Sequence, residues 1–201
     1  MRSRLGIVLP FMLAAVLALS GCGDDPAEGP EADPTGQSSS STPSETPPPS
    51  TTSIEPTPTG DPATGELLEL SNVSMRVPTT FQADPPDMSY LRFAFEQAGV
   101  QSIALANTPA VNETLPLRKQ AVISIRNHVY SQLPKIGDPV EVGGVTMYRY
   151  AGQVSDSEYV EEYGAIYDGS QISINFLLSA TASDSEHREL IDSVLATLTF
   201  S

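Results

Sequence analysis

One long stretch of this chain cannot bury a hydrophobic core, and it limits where folding can take place. Residues 23–63 are mainly Pro, Ser, Thr, Gly and acidic, with no aromatic residue and with Ile54 as the only large aliphatic side chain. A segment of this composition cannot bury enough apolar surface to offset the entropy lost on ordering. We therefore predict a disordered linker here and a folded domain after it.

A secretory signal pattern precedes the linker. Two arginines within residues 1–4 are followed by an apolar block and then by the run Leu19-Ser-Gly-Cys22. This is the order of a signal peptide and its processing site. The block has about 15 residues and contains Pro10, whereas a membrane-spanning helix needs roughly 20 apolar residues. The sequence therefore predicts a signal peptide over residues 1–21 rather than a membrane span.

The run ending at Cys22, the only cysteine, resembles the lipobox of bacterial lipoprotein precursors. The resemblance implies that the thiol takes a diacylglyceryl group, that fatty acids such as palmitate anchor the chain, and that Cys22 becomes the lipidated amino terminus. Two or more acyl chains hold a protein stably on a membrane. We therefore expect the extracytoplasmic side of the cell membrane as its location. A conventionally cleaved signal with an incidental cysteine is the alternative.

Net charge limits the possible partners of the chain, and length limits the number of its domains. The formal net charge is −15, which argues against nucleic acid or an anionic headgroup surface as the main partner. Residues 22–63 form the lipidated cysteine and the linker, which has eight acidic residues and no Lys or Arg. Residues 64–201 carry 17 acidic and eight basic residues, a charge of −9, and have the length of one domain.

Alternating apolar residues predict about six or seven strands in that domain. The clearest is residues 172–178, which follows the turn dipeptide Asp168-Gly169 and should pair antiparallel with residues 159–167. Gly143-Gly144 predicts a second hairpin between residues 140–142 and 145–151. Three earlier strands are indicated at residues 74–77, 91–96 and 103–105.

Two segments have helical spacing. In the first, an apolar residue recurs at every fourth position, with Thr114 as the cap, Pro116 in the first turn and Pro134 after the end. The apolar stripe consists of Leu117, Ala121, Ile125, Val129 and Leu133. The second helix runs over residues 184–197, and Ser183 with Glu186 forms a predicted capping box. Together these elements predict an α+β fold, an antiparallel sheet covered by helices.

A family resemblance follows from this order of elements. It rests on Leu70-Ser-Asn-Val-Ser-Met-Arg-Val-Pro78, the middle helix, Val140-Glu-Val-Gly-Gly-Val-Thr-Met147, the hairpin of residues 163–178 and the closing residues 191–198. The domain resembles the Mog1/PsbP-like fold in the form of the LpqN-type lipoproteins of actinobacteria. The resemblance implies a non-enzymatic accessory or binding module that docks on envelope protein complexes or contacts glycolipid.

The sequence contains no reaction motif such as a nucleophile elbow, a zinc-protease helix or a phosphate loop. His128 and His187 have no second ligand at a metal-binding spacing. We therefore expect no enzyme activity, no cofactor and no metal. The densest carboxylate cluster could alternatively serve a cation or an envelope polymer hydrolase, although Glu161 and Glu162 would point to opposite faces of a strand. That cluster is Asp156, Glu158, Glu161 and Glu162.

Tyrosines supply the candidate binding residues. Tyr159, Tyr163 and Tyr167 share one face of a strand by their even spacing, and Tyr148 and Tyr150 share a face of its neighbour. Tyrosine is common on recognition surfaces and also on half-buried sheet faces under a helix. The first hypothesis is a tethered module that binds an envelope protein or glycolipid through these residues. The alternatives are the hydrolase and a purely structural or stress-response lipoprotein.

Overall fold

The computed structural model describes residues 60–85, 88–97 and 99–201. The predicted signal peptide, Cys22 and nearly all of the linker lie outside the described residues. Within the described part of the chain, no helix is both long and apolar enough to cross a membrane. The described residues form an α+β domain with two helices and 11 strands.

The strands form two antiparallel sheets. The smaller sheet has the order β1-β2-β11, and the larger has the order β3-β4-β5-β10-β9-β8-β6 with β7 also paired to β8. The helices are α1 (Leu117–Asn127) and α2 (Asp184–Leu195). The strands are β1 (Leu67–Leu70), β2 (Val73–Arg76), β3 (Phe81–Ala83), β4 (Leu91–Glu96), β5 (Ser102–Pro109), β6 (Lys135–Ile136), β7 (Val140–Val142), β8 (Val145–Gln153), β9 (Glu158–Tyr167), β10 (Ser170–Ser179) and β11 (Thr199–Phe200).

The main hydrophobic core fills one face of the larger sheet, which we call the α2 face. Alternate residues of β10 and β5, among them Ile174, Phe176 and Leu105, meet α2 and the smaller sheet there. A second, smaller core lies on the opposite face, the α1 face, where Ala121 and Ile125 of α1 pack against Tyr150. Strand β9 is buried on both faces because it lies between the two cores.

Both predicted hairpins are confirmed. Asp168 and Gly169 have φ angles of 47° and 70°, and they join β9 to β10 so that Tyr167 pairs with Ser170. Positive φ at both central residues is what a two-residue hairpin turn requires. Gly143 and Gly144 also have positive φ angles, 57° and 80°, and they join β7 to β8 in the second hairpin.

The number of strands is larger than the six or seven predicted. The predicted segments correspond to β2, β4, β5, β7, β8, β9 and β10, and the structure adds β1, β3, β6 and β11. The additional strands have two to four residues each. So few residues complete at most two alternations, and the period alone does not reveal strands of this length. The similarly short β2 and β7 could be predicted because a proline and a glycine turn follow them.

The first helix is shorter than predicted. It begins at Leu117 and ends at Asn127, so Val129 and Leu133 are exposed loop residues rather than part of its apolar stripe. Tertiary contacts explain the early end, because His128 is extended and Tyr130 turns back to pack in the smaller core. Thr114 does not cap the helix, since its backbone N–H and its hydroxyl donate to Asn112 Oδ1.

The second helix is confirmed almost to the residue. Ser183 Oγ accepts from the backbone N–H of Glu186, and the Glu186 side chain accepts from the Ser183 N–H, which completes the capping box. Ile191, Val194 and Leu195 on its inner side are buried in the main core. The helix therefore seals the α2 face.

Candidate functional site

Helix α1 covers only part of the α1 face of the larger sheet. It packs on β8, β9 and β6, and the neighbouring strands β10 and β5 have no helix above them in the described part of the chain. A cleft of about 440 Å³ lies beside α1, where the helix stops covering the sheet. One flank of α1 forms one wall, the loop that precedes α1 forms the end, and the strands form the floor.

The floor of the cleft is built from small side chains. Ala106 of β5 and Ser173 of β10 point to the α1 face, as do the apolar Ile166 and the buried Tyr148. Ile123 and Ser124 line the wall on α1, and Val111 and Leu115 belong to the loop at the end. The cleft is therefore mainly apolar, with polar side chains gathered on one side.

A buried carboxylate lies at the deep end of the cleft. Glu162 is only 2% exposed, although it lies in the middle of β9. Tyr148 Oη donates to Glu162 Oε1 over 2.9 Å, Ser124 Oγ donates to the same oxygen over 2.5 Å, and Asn175 Nδ2 donates to Oε2 over 3.0 Å. Ionised carboxylates are rarely buried without such partners. Three elements therefore converge on one carboxylate.

His128 closes the outer side of this carboxylate. Its Nε2 lies 3.9 Å from Glu162 Oε2, its side chain is 45% exposed, and its ring stacks on Tyr130 with the centroids 5.3 Å apart. The residue is the C-cap of α1, where the backbone leaves the helix. His128 therefore brings the carboxyl end of α1 next to the Glu162 carboxylate.

A glycine makes room for the tyrosine that reaches Glu162. Gly164 pairs with Tyr148 across β9 and β8, and a β-carbon at Gly164 would overlap the ring and hydroxyl of Tyr148. The missing side chain allows the Tyr148 ring to lie over β9 and to place its hydroxyl at the carboxylate. Glycine inside a strand commonly marks such a close approach.

The carboxylate and its surroundings keep the neighbouring tyrosines protonated. Burial raises the pKa of Tyr148 and of Tyr150, and the negative charge of Glu162 raises both further. Tyr130 has a raised pKa for the same two reasons. These hydroxyls therefore stay protonated near neutral pH, and the Tyr148 hydroxyl, which lines the cleft, donates to Glu162.

Gln120 adds an unpaired polar group to the cleft. The side chain is 6% exposed and lines the cleft, and its Nε2 donates to the backbone carbonyl of Leu115 over 2.7 Å. Its Oε1 is buried and has no hydrogen-bond partner among the described residues. Buried polar atoms without a partner are uncommon and are often completed by a ligand or a water.

A second buried carboxylate lies on the opposite face and has a different environment. Arg149 Nε donates to Glu161 Oε1 over 2.7 Å, and the hydroxyls of Tyr159 and Tyr163 also donate to Glu161. Burial alone would raise the pKa of Glu161, but the hydrogen bond and charge of Arg149, with the tyrosine hydroxyls, lower it below the ordinary value. Arg188 of α2 approaches the same carboxylate at 3.9 Å.

The predicted tyrosine set is divided between the two faces. Tyr148 and Tyr150 lie on the α1 face, whereas Tyr159, Tyr163 and Tyr167 lie on the α2 face. Tyr148, Tyr150 and Tyr163 are at most 3% exposed and serve as packing residues and as hydrogen-bond donors. The five residues therefore do not form one binding surface, because β8 and β9 pair in a register that turns the two groups away from each other.

The histidines and carboxylates also separate in space. His187 is buried on α2, where its Nε2 contacts the Ser179 carbonyl at 2.9 Å and its ring stacks on Tyr159 at 4.3 Å. Glu161 and Glu162 point to opposite faces, as their adjacent positions predict. No group of three or more His, Cys, Asp or Glu side chains in the described segments is placed to hold a metal ion.

Sequence reasoning identified Tyr148 and Glu162 as candidates but missed other residues that build the cleft. Ser124, Asn175 and Gln120 are polar residues within amphipathic elements, and they could not be distinguished from solvated positions. One available signal was Gly164, a glycine in the middle of a long strand, which is typical of a close approach by another group. A second was the carboxylate of Glu162, two positions before it.

Comparisons with known proteins do not assign this chain to a family. No protein-family model matches it, and no curated protein matches it significantly. Among solved structures, a Bacteroides thetaiotaomicron protein determined at 1.50 Å aligns with 64% of this chain, at 10% identity and a TM-score of 0.43. The alignment covers 45% of that protein, so the chain spans less than half of its length.

Proposed function

We propose that this chain is a membrane-tethered, extracytoplasmic binding module without catalytic activity, and that the cleft beside α1 is its ligand site. The observation that carries the proposal is the convergence of Ser124, Tyr148 and Asn175 on the buried Glu162 carboxylate at the deep end of an open cleft. Pockets that combine an apolar lining with a few convergent polar groups are typical ligand sites.

The chemistry of the cleft favours an amphiphilic ligand. Val111, Leu115 and Ile123 offer apolar contact, whereas Glu162 and Gln120 offer acceptor oxygens. A sugar hydroxyl or an amine can donate to those oxygens, and an adjoining acyl chain can lie along the apolar wall. An envelope glycolipid has both parts, and it is the ligand class we propose. An envelope protein that inserts an amphipathic segment is the other candidate.

The tether is supported by the sequence. The lipobox-like run ending at Cys22 and the acidic linker after it would tether the domain to the outer side of the cell membrane. For about 40 linker residues, flexible-chain scaling gives a reach of roughly 35 Å. A domain held in this way can meet lipids or proteins of the envelope without leaving its membrane.

The hydrolase alternative receives no support from the described residues. Glu158 and Glu161, the carboxylates that motivate it, lie three residues apart on β9 and therefore on opposite faces. Glu161 and Glu162 are also on opposite faces, and each is held by its own donors, so neither pair flanks a common substrate position. Glycoside hydrolysis needs two carboxyl groups on either side of one bond. The purely structural alternative predicts a filled sheet face, whereas the α1 face has an open cleft.

The test is co-purification of the ligand with a cleft-filling variant and a matched control. Ala106 and Ala104 lie on the same strand and the same face, but only Ala106 lines the cleft. The full-length wild type, Ala106→Phe and Ala104→Phe would be extracted from the envelope in mild detergent, and the bound lipids and proteins would be identified by mass spectrometry.

We expect a defined glycolipid or protein with the wild type and with Ala104→Phe, and at least a tenfold loss with Ala106→Phe, on the order of a lost pocket contact. Circular dichroism would confirm that both variants are folded. Equal recovery with the two variants would show that the cleft is not the site, and recovery of nothing with the wild type would contradict the proposed binding function.

A further inference from the structure

A second concave surface lies on the other flank of α1. It is a groove of about 700 Å³ between α1, the loop of residues 128–134 and β6. Val122 and Ile125 form its apolar floor together with Tyr130. The groove shares only His128 with the lining of the cleft. We call this surface the basic groove because Arg118, Arg126 and Lys135 line it.

Positive charge is concentrated around this groove. Residues 114–137 include four of the eight basic residues of the domain and no Asp or Glu. Arg118, Arg126 and Lys135 line the groove, and all three side chains are exposed. None of the three has a carboxylate within ion-pair distance among the described residues. The remaining basic residue, Lys119, lies on α1 outside the groove.

Two large aliphatic side chains project beside these charges. Val129 is fully exposed and Leu133 is 74% exposed, and both belong to the loop that lines the groove. Exposed aliphatic side chains next to Lys and Arg are the pattern of surfaces that lie in a lipid interface, where the apolar groups enter the acyl boundary and the cations meet phosphates.

We propose that the basic groove and its loop dock the domain on the surface of an anionic phospholipid bilayer. In this arrangement Val129 and Leu133 enter the interface, and Arg118, Arg126 and Lys135 contact the headgroup phosphates. This inference does not depend on what the cleft binds. It assigns the groove to a membrane surface rather than to a soluble anion, because two exposed aliphatic side chains, which an anion would not contact favourably, lie beside the cations in an open groove.

The negative net charge of the domain is compatible with this surface. Charges in salt solution act over about 8 Å, so the residues around the groove govern its contact with a bilayer. The acidic residues nearest in sequence are Glu113 and Asp138, and Glu162 is buried behind His128. The fold also brings Asp156 near the loop, because the carbonyl of Val154 accepts from the Gln132 N–H. None of these acidic residues lines the groove. The net charge of the chain argues against an anionic headgroup surface as the main partner of the average surface, whereas this proposal concerns only the region around the groove.

The absence of tryptophan from the chain allows a site-specific test. Full-length Val129→Trp protein would be mixed with phosphatidylcholine vesicles, with or without phosphatidylglycerol, and the fluorescence of the single tryptophan would be recorded. We expect a blue shift only with phosphatidylglycerol. Because the readout is local, vesicle binding through residues 1–22 does not produce it. A Val100→Trp variant, at an exposed position between β4 and β5, should show no shift.

Charge-reversal variants test whether the basic groove is the surface that contacts the vesicle. In the Val129→Trp background, Arg126→Glu should weaken binding to phosphatidylglycerol vesicles roughly tenfold, while Lys119→Glu on the same helix should weaken it clearly less. Circular dichroism would confirm that each variant is folded. The proposal is overturned if the Val129→Trp protein shows no shift, if neutral vesicles give the same shift, if Val100→Trp shifts equally, or if both charge reversals have the same effect.

Discussion

Glu161 and Glu162 are adjacent in the middle of β9 and are both almost fully buried, but their hydrogen-bond partners differ in charge. Glu161 contacts the guanidinium of Arg149, whereas Glu162 is held by the neutral donors of Tyr148, Ser124 and Asn175. Removing one partner of a buried ion pair leaves the other charge uncompensated, and that is strongly destabilising. A carboxylate held by neutral donors leaves no such charge behind. The two residues therefore have different roles, one in stability and one in the cleft.

Glutamine substitutions separate these roles. Glu161→Gln should lower the free energy of unfolding by about 3 kcal/mol, because it removes a carboxylate that is nearly fully buried and paired with Arg149. Glu162→Gln should cost about 1 kcal/mol or less, since an amide oxygen can still accept from Tyr148 and Ser124, and a buried charge is removed. Urea denaturation of both variants measures the difference. Equal losses would mean that the two networks are energetically equivalent.

At the scale of elements, helix α1 divides one face of the sheet into two surfaces. Its residues Gln120, Ile123 and Ser124 face the cleft, and Arg118 and Arg126 face the basic groove. Helix α2 has no such division, because its inner side is buried in the main core and its outer side is polar. The functional proposals therefore concern α1, whereas α2 serves the stability of the domain.

The two helices also differ in how far the sequence could predict them. The start of α2 follows from a local signal, the capping box of Ser183 and Glu186, and its end at Leu195 lies two residues before the predicted one. The end of α1 is set by a distant contact, the packing of Tyr130 against Tyr150, which the four-residue spacing of Val129 and Leu133 cannot reveal. Hairpins are likewise local and were predicted correctly. The cleft arises from the register of β8, β9 and β10, so sequence alone could not locate it.

The capping box gives a prediction for α2. Ser183→Ala removes the oxygen that accepts from the Glu186 backbone N–H, so the domain should lose about 1 kcal/mol of stability in thermal or urea denaturation. Ser185→Ala is the matched control, because the Ser185 hydroxyl bonds the Ser183 hydroxyl rather than a helix amide. It should change the stability by less than half as much. A larger loss of stability for Ser185→Ala than for Ser183→Ala would contradict the capping assignment.

At the scale of the whole molecule, one face of the larger sheet is sealed and the other is half open. The smaller sheet and α2 cover the α2 face, and α1 leaves β5 and β10 uncovered on the opposite face. Tyrosines stabilise both faces through hydroxyls that donate to the buried glutamates. Burial together with the nearby carboxylates raises the pKa of five of the seven tyrosines. They are Tyr130, Tyr148, Tyr150, Tyr159 and Tyr163.

These raised pKa values predict alkaline unfolding. An unfolded tyrosine loses its proton near pH 10, whereas the folded domain retains it to higher pH. The tyrosine contribution to stability is therefore complete below about pH 10 and is lost as the pH rises toward the folded pKa values. An ultraviolet titration of tyrosinate, followed together with circular dichroism, should show the five residues titrating only as the domain unfolds. Full tyrosinate absorbance from a folded domain would contradict this.

The central claim is that the cleft beside α1 binds a ligand. Hydrogen–deuterium exchange of the full-length protein, with and without detergent-solubilised envelope extract, tests it most directly. We expect the extract to slow exchange in residues 106–116, which line the cleft but not the basic groove, while exchange in α2 is unchanged. The Ala106→Phe variant should lose this effect. Unchanged exchange in residues 106–116, or equal slowing in α2, would contradict the claim.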